Sequence, residues 1–115
     1  MKISVSVEKP IENIKIANFI SKLTGCAIST AKKQLEQGKS GFFYTTELFL
    51  NDYPERAKEI LELINYFDDL DIGLYIIEIG HDKSWGDVDL NNLDNYRIAV
   101  PVLRNTIIET KSDFS

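Results

Sequence analysis

Between residues 53 and 79 the apolar residues change period, and that change limits the fold more than any other feature of the chain. Tyr53, Ala57, Ile60, Leu61, Ile64 and Phe67 recur at helical spacing and form a broad apolar stripe. Glu55, Lys58, Glu59 and Glu62 occupy the remaining faces. Asp52 is a suitable N-cap, and Pro54 fits the first turn, where its missing N–H removes no hydrogen bond. Residues 72–79 then read Ile-Gly-Leu-Tyr-Ile-Ile-Glu-Ile, a strand with Tyr75, Ile77 and Ile79 on one face and Leu74, Ile76 and Glu78 on the other. A one-faced helix running into an apolar strand predicts helices packed on a sheet.

The rest of the chain extends this pattern. Residues 2–7 alternate, with Ile3, Val5 and Val7 opposite Lys2, Ser4 and Ser6, and predict a strand that Pro10 closes off. Residues 11–24 predict a helix through Ile16, Ala17, Ile20 and Leu23, stopped at Thr24-Gly25. A shorter helix is expected at about 29–37, capped by Ser29 or its neighbour, with Ile28, Ala31 and Leu35 sharing a face and Gly38 as its stop. Residues 41–46 are aromatic and β-branched and predict a second strand, whose adjacent Phe42, Phe43 and Tyr44 place apolar area on both faces. Residues 80–95 are polar and rich in Gly, Asp and Asn, and read as a loop. Residues 97–103 read as a short edge element broken at Pro101, and Thr106-Ile107-Ile108 as another extended piece. The expected fold class is α+β: a three-stranded antiparallel sheet on three helices, in one domain of 115 residues with a core over 2–79 and an extension over 80–115.

Charge is segregated. The net charge is −5, but residues 1–46 carry +4 and residues 47–94 carry −10. An acidic chain repels nucleic-acid phosphates, so a nucleic-acid ligand is not expected. The acidic half either solvates one face or steers a basic partner in. Asp68, Asp69 and Asp71 follow the third helix, where acids oppose the helix dipole by about 0.3–1 kcal/mol each when exposed. Asp82, Asp87, Asp89 and Asp94 populate the loop around Trp85. That tryptophan either tucks over the sheet as a lid or stands as an interface anchor. No stretch of about 18 apolar residues predicts a membrane span, and the alternating N-terminus is unlike a signal peptide, so a cytoplasmic location is expected.

Residues for catalysis are sparse. His81 is the sole histidine, and Cys26 lies 55 residues from it in sequence, without a base nearby. The loop carboxylates miss the spacing of a calcium loop. Neither a zinc pattern nor a phosphate-binding glycine loop is present. No metal, no cofactor and no enzymatic activity are expected.

The order strand, helix, Gly, short helix, strand, long helix, strand, with Ile16-Ala17, Leu23-Thr24-Gly25, Ala31-Lys32 and Leu35-Glu36, resembles the C-terminal domain of the bacterial ribosomal stalk protein. The protease adaptor that delivers substrates to Clp shares that general fold. The likeness covers residues 2–79. It implies three antiparallel strands on one side, three helices on the other, and a binding role, since neither family is enzymatic. The stalk domain meets translation GTPases through lysines around its short helix; Lys32 matches one, whereas Ser29 stands where another lysine is usual. The stalk's Ala-rich hinge and N-terminal dimerisation segment have no counterpart here.

The reading is therefore a non-catalytic protein-binding module. A toxin-neutralising immunity protein is expected, meeting a basic toxin domain, such as a nuclease, through Asp68, Asp69, Asp71, Asp82, Trp85, Asp87, Asp89 and Asp94. The alternative is an adaptor or ribosome-associated module. The aromatic stretch at 42–44 also suits a weak homodimer by edge pairing.

Overall fold

Alternation and helical periodicity in the first 79 residues produce the elements they predict, in the predicted order. The computed structural model describes residues 1–48 and 53–114. It contains β1 (Lys2–Val7), α1 (Ile14–Thr24), α2 (Ile28–Glu36), β2 (Tyr44–Glu47), α3 (Tyr53–Asp69), β3 (Leu74–Ile79) and α4 (Val100–Phe114), with short 3-10 turns at Gly38–Ser40, Trp85–Asp87 and Leu90–Tyr96. The sheet has the order β2-β1-β3, and β1 is antiparallel to both neighbours. The class is α+β, as the sequence implied.

Local chemistry sets the helix ends. Asn13 caps α1, its Oδ1 accepting from the Lys15 N–H at 2.9 Å and the Ile16 N–H at 3.2 Å. This places the start at Ile14, three residues later than the periodicity suggested, because Ile11 is instead tied to α2 by its N–H to the Leu35 carbonyl at 2.9 Å. Gly25 ends α1 at φ 80°, a left-handed conformation that glycine adopts without strain. In α2 the capping position falls on Ala27, which offers no side-chain bond, so the expected cap at Ser29 is corrected: Ser29 lies inside the first turn and is exposed. The proposed cap of α3, Asp52, lies outside the described residues.

The end of α3 explains one of the misplaced acids. The Ile72 N–H donates to the Phe67 carbonyl at 3.0 Å and the Asp71 N–H to the Asp68 carbonyl at 3.0 Å, while Asp71 takes φ 55°. This is a Schellman closure with aspartate at the left-handed position usually held by glycine. Aspartate tolerates that conformation better than most residues.

The core lies between the sheet and the helices. Ile3, Val5 and Val7 of β1 and Leu74 and Ile76 of β3 meet Ile16, Ala17, Ile20, Ala31 and Leu35 of α1 and α2, and Ala57, Ile60, Leu63, Ile64 and Phe67 of α3. Phe19 stacks on Tyr66 at 3.7 Å, and Phe43 on Phe67 at 5.7 Å, seating α1 and the approach to β2 against α3.

Two expectations fail, each for a physical reason. The second strand is Tyr44–Glu47, shorter and later than 41–46, because Gly41 passes under α2. A methyl group there would lie 1.8 Å from the Gln34 carbonyl oxygen. The C-terminal extension contains two 3-10 turns and a helix, where a loop and two extended pieces were expected. Pro101 lies in the first turn of α4, where proline is tolerated, and so begins a helix instead of breaking a strand. The edge element survives only as one bridge between Ile77 and Arg97. Leu103 and Ile107 of α4 are fully buried and join the same core, contributing about 1.5–3 kcal/mol each. Arg104 pairs with Asp68 at 2.8 Å and holds α4 to the end of α3.

Two substitutions test these assignments by thermal unfolding. Asp71→Gly should stabilise the protein by roughly 0.5–1 kcal/mol by relieving the left-handed aspartate, and a lowered melting temperature would contradict the capping assignment. Gly41→Ala should destabilise by about 2 kcal/mol or more, since overpacking against backbone has no cheap relief.

Candidate protein-binding surface

The strand pairing brings Ser4 and Ser6 of β1, Thr45 of β2, and Tyr75, Ile77 and Ile79 of β3 onto the sheet face opposite the helices. The Ser4 and Thr45 hydroxyls share one hydrogen bond at 2.7 Å, and Ser6 donates to the Lys39 carbonyl at 2.8 Å. Tyr75, Ile77 and Ile79 are nonetheless buried. Residues 80–97 cross this back face as a strap.

The strap is fastened at defined points. Lys2 Nζ donates to the Lys83 carbonyl at 2.5 Å. Tyr75 Oη donates to Asp94 Oδ1 at 2.5 Å. The Ile98 N–H reaches the Ile76 carbonyl at 2.9 Å, beside the Ile77–Arg97 bridge. The Arg97 guanidinium lies 4.9 Å from the centre of the Tyr75 ring and pairs with Glu8, and Lys39 Nζ lies 5.0 Å from the same centre. Burial, then the hydrogen bond to Asp94, pushes the Tyr75 phenol up to about 12.

Between strap and sheet lies a predominantly apolar groove of about 330 Å³, lined by Ser4, Phe42, Thr45, Ile77, Trp85, Val88, Leu90 and Leu93. Trp85 is half-buried in its wall, partly a lid and partly open to solvent. Leu90 is 76% exposed. The run Asp87-Val88-Asp89-Leu90 alternates: Val88 and Leu90 line the groove, and the two exposed aspartates sit between and before them. Asp89 accepts from Asn92 Nδ2 at 2.6 Å and from the Asn91 N–H at 3.0 Å. These bonds, the Asn92 one foremost, hold its carboxyl below the usual carboxylate range. Asp82 and Asp87 are exposed, with no side-chain partner among the described residues.

The eight residues singled out in the sequence do not form one surface. Asp68, Asp69 and Asp71 lie at the entry to β3, and Asp82, Trp85 and Asp87 beyond its exit. The six residues of β3 separate them by roughly 20 Å at about 3.3 Å per residue. Asp68 and Asp71 serve α4 and the helix cap, and Asp94 serves the Tyr75 latch. Asp69 is exposed. What remains together is Asp82, Trp85, Asp87 and Asp89. The sequence reading missed Phe42, Thr45, Ile77, Val88, Leu90 and Leu93, although the acid–apolar alternation at 87–90 was a signal for two of them.

His81 is exposed and Cys26 half-buried. On α2, Lys33 is exposed, Lys32 half-buried and Ile28 40% exposed. Among the described residues no group of three or more His, Cys, Asp or Glu gathers as for a metal ion, and no helix is long and apolar enough to cross a membrane. No family model, curated protein or solved structure matches this chain.

Tyr44 joins Tyr75 as a high-pKa phenol, pushed up to about 12 by burial first and by the Glu59 carboxylate second. Both folded-state values exceed the ordinary 10.0, so the neutral phenols favour the folded state. That contribution is complete below pH 10 and is lost as the pH rises through about 12. In a spectrophotometric titration two of the five tyrosines should ionise near pH 12, and Tyr75→Phe should remove one of them.

Proposed function

We propose that this chain is a non-catalytic binding module of the immunity-protein kind, neutralising a basic toxin domain, such as a nuclease, in the cytoplasm through the strap face. The observation that carries the reading is the exposure of Asp82, Asp87 and Asp89 on the same strap whose half-exposed Trp85, Val88 and Leu90 line an apolar groove. Carboxylates around an aromatic anchor suit a cationic cleft that normally holds nucleic-acid phosphates. The carboxylates would steer encounter and set specificity, while Trp85 and its neighbours would supply burial. Asp68 and Asp71 fall outside this interface because they lie at the far end of β3, and Asp94 because its carboxylate is taken up by Tyr75. Asp69, exposed at the far end of β3, is also left out.

A second reading, an adaptor or ribosome-associated module, draws on the order of elements and on exposed Ile28 and Lys33 on α2, beside half-buried Lys32. The two readings place the partner on different surfaces.

Replacing Asp82, Asp87 and Asp89 together by Asn tests the first. Tagged protein is used to capture its partner from its own host at low and high salt. The triple variant should bind the captured partner at least about tenfold more weakly and with a shallower salt dependence. Unchanged affinity, or capture of ribosomal or Clp components lost on Lys33→Ala, would overturn it.

A further inference from the structure

The strap face also indicates what a partner must bring to it, an inference that rests on the functional reading above. The groove is lined by Ile77 of β3, by Phe42 ahead of β2, and by Trp85, Val88 and Leu93 of the strap. Ser4 and Thr45, the hydroxyl-bearing residues of its lining, are joined to each other by one hydrogen bond at 2.7 Å. The volume of about 330 Å³ exceeds that of one large side chain. Leu90 belongs to the same lining and is 76% exposed.

The charge on the strap follows from the alternation at 87–90. Val88 and Leu90 line the groove, and Asp87 and Asp89, both exposed, are their immediate neighbours in the chain. The Asn91 and Asn92 bonds keep Asp89 ionised. An apolar slot with carboxylates on the adjoining chain disfavours a segment with acidic flanks and gives a purely basic segment no use for the slot.

We infer that the groove receives one large apolar side chain of a protein partner, carried on a segment whose flanking residues are lysine or arginine that meet Asp87 and Asp89. The apolar side chain is the anchor, and the cations set register and on-rate.

Trp85, the sole tryptophan, lies in the groove wall and reports directly on occupancy through its emission and its indole N–H resonance. The probes are three short synthetic peptides: one Phe between lysines, the same with Ser for Phe, and the same with Gln for the lysines. The Lys-flanked Phe peptide should perturb both Trp85 signals. The Ser peptide should bind roughly tenfold more weakly, or worse. The Gln peptide should bind more weakly and lose its salt dependence. Leu90→Ser, at an exposed position that leaves the core intact, should weaken only peptides containing Phe. Equal binding of the Ser peptide would overturn the apolar anchor while leaving the acidic interface standing. Equal, salt-independent binding of the Gln peptide would overturn the flanking cations and the basic-partner reading with them. Silence of Trp85 towards every peptide would overturn the groove as the docking site.

Discussion

A strand that is apolar on both faces must be covered twice, and β3 is such a strand. Leu74 and Ile76 face the helices; Tyr75, Ile77 and Ile79 face away from them. A three-stranded sheet backed by helices on one side alone would leave that second set in water. The chain after Ile79 meets this requirement in two ways. Residues 80–97 cross the open face and close it with Asp94 on Tyr75, and α4 then returns to bury Leu103 and Ile107 among the helices. The extension is therefore part of the fold, and its cover of the back face creates the groove.

Much of this was legible in the sequence. β1, α1, α2, α3 and β3 follow from the period of their apolar residues, because each has one face that packs and another that does not. The C-terminal helix was hidden by its composition. Val100, Val102, Thr106, Ile107 and Ile108 favour strands locally, and Pro101 looks like a breaker. Tertiary burial of Leu103 and Ile107, spaced by one helical turn, overrides that preference.

The acids were harder to read because their work depends on partners distant in sequence. Asp68 looked costly at a helix end until Arg104 of α4 was placed beside it. Asp71 takes the left-handed cap position, and Asp94 receives the Tyr75 hydroxyl. Once those are assigned to the fold, the remaining acids of the strap are fewer and closer together. Asp82, Asp87 and Asp89 then lie, exposed, on the same strap as Trp85 and Leu90. The segment that completes the core is thus also the one that presents the proposed binding surface.

The most direct measurement is a hydrogen-exchange footprint of the captured partner on this chain, taken at low and high salt. The account predicts new protection confined to residues 82–93 and diminished at high salt. Protection on α2 around Lys32 and Lys33, with residues 82–93 unchanged, would contradict it.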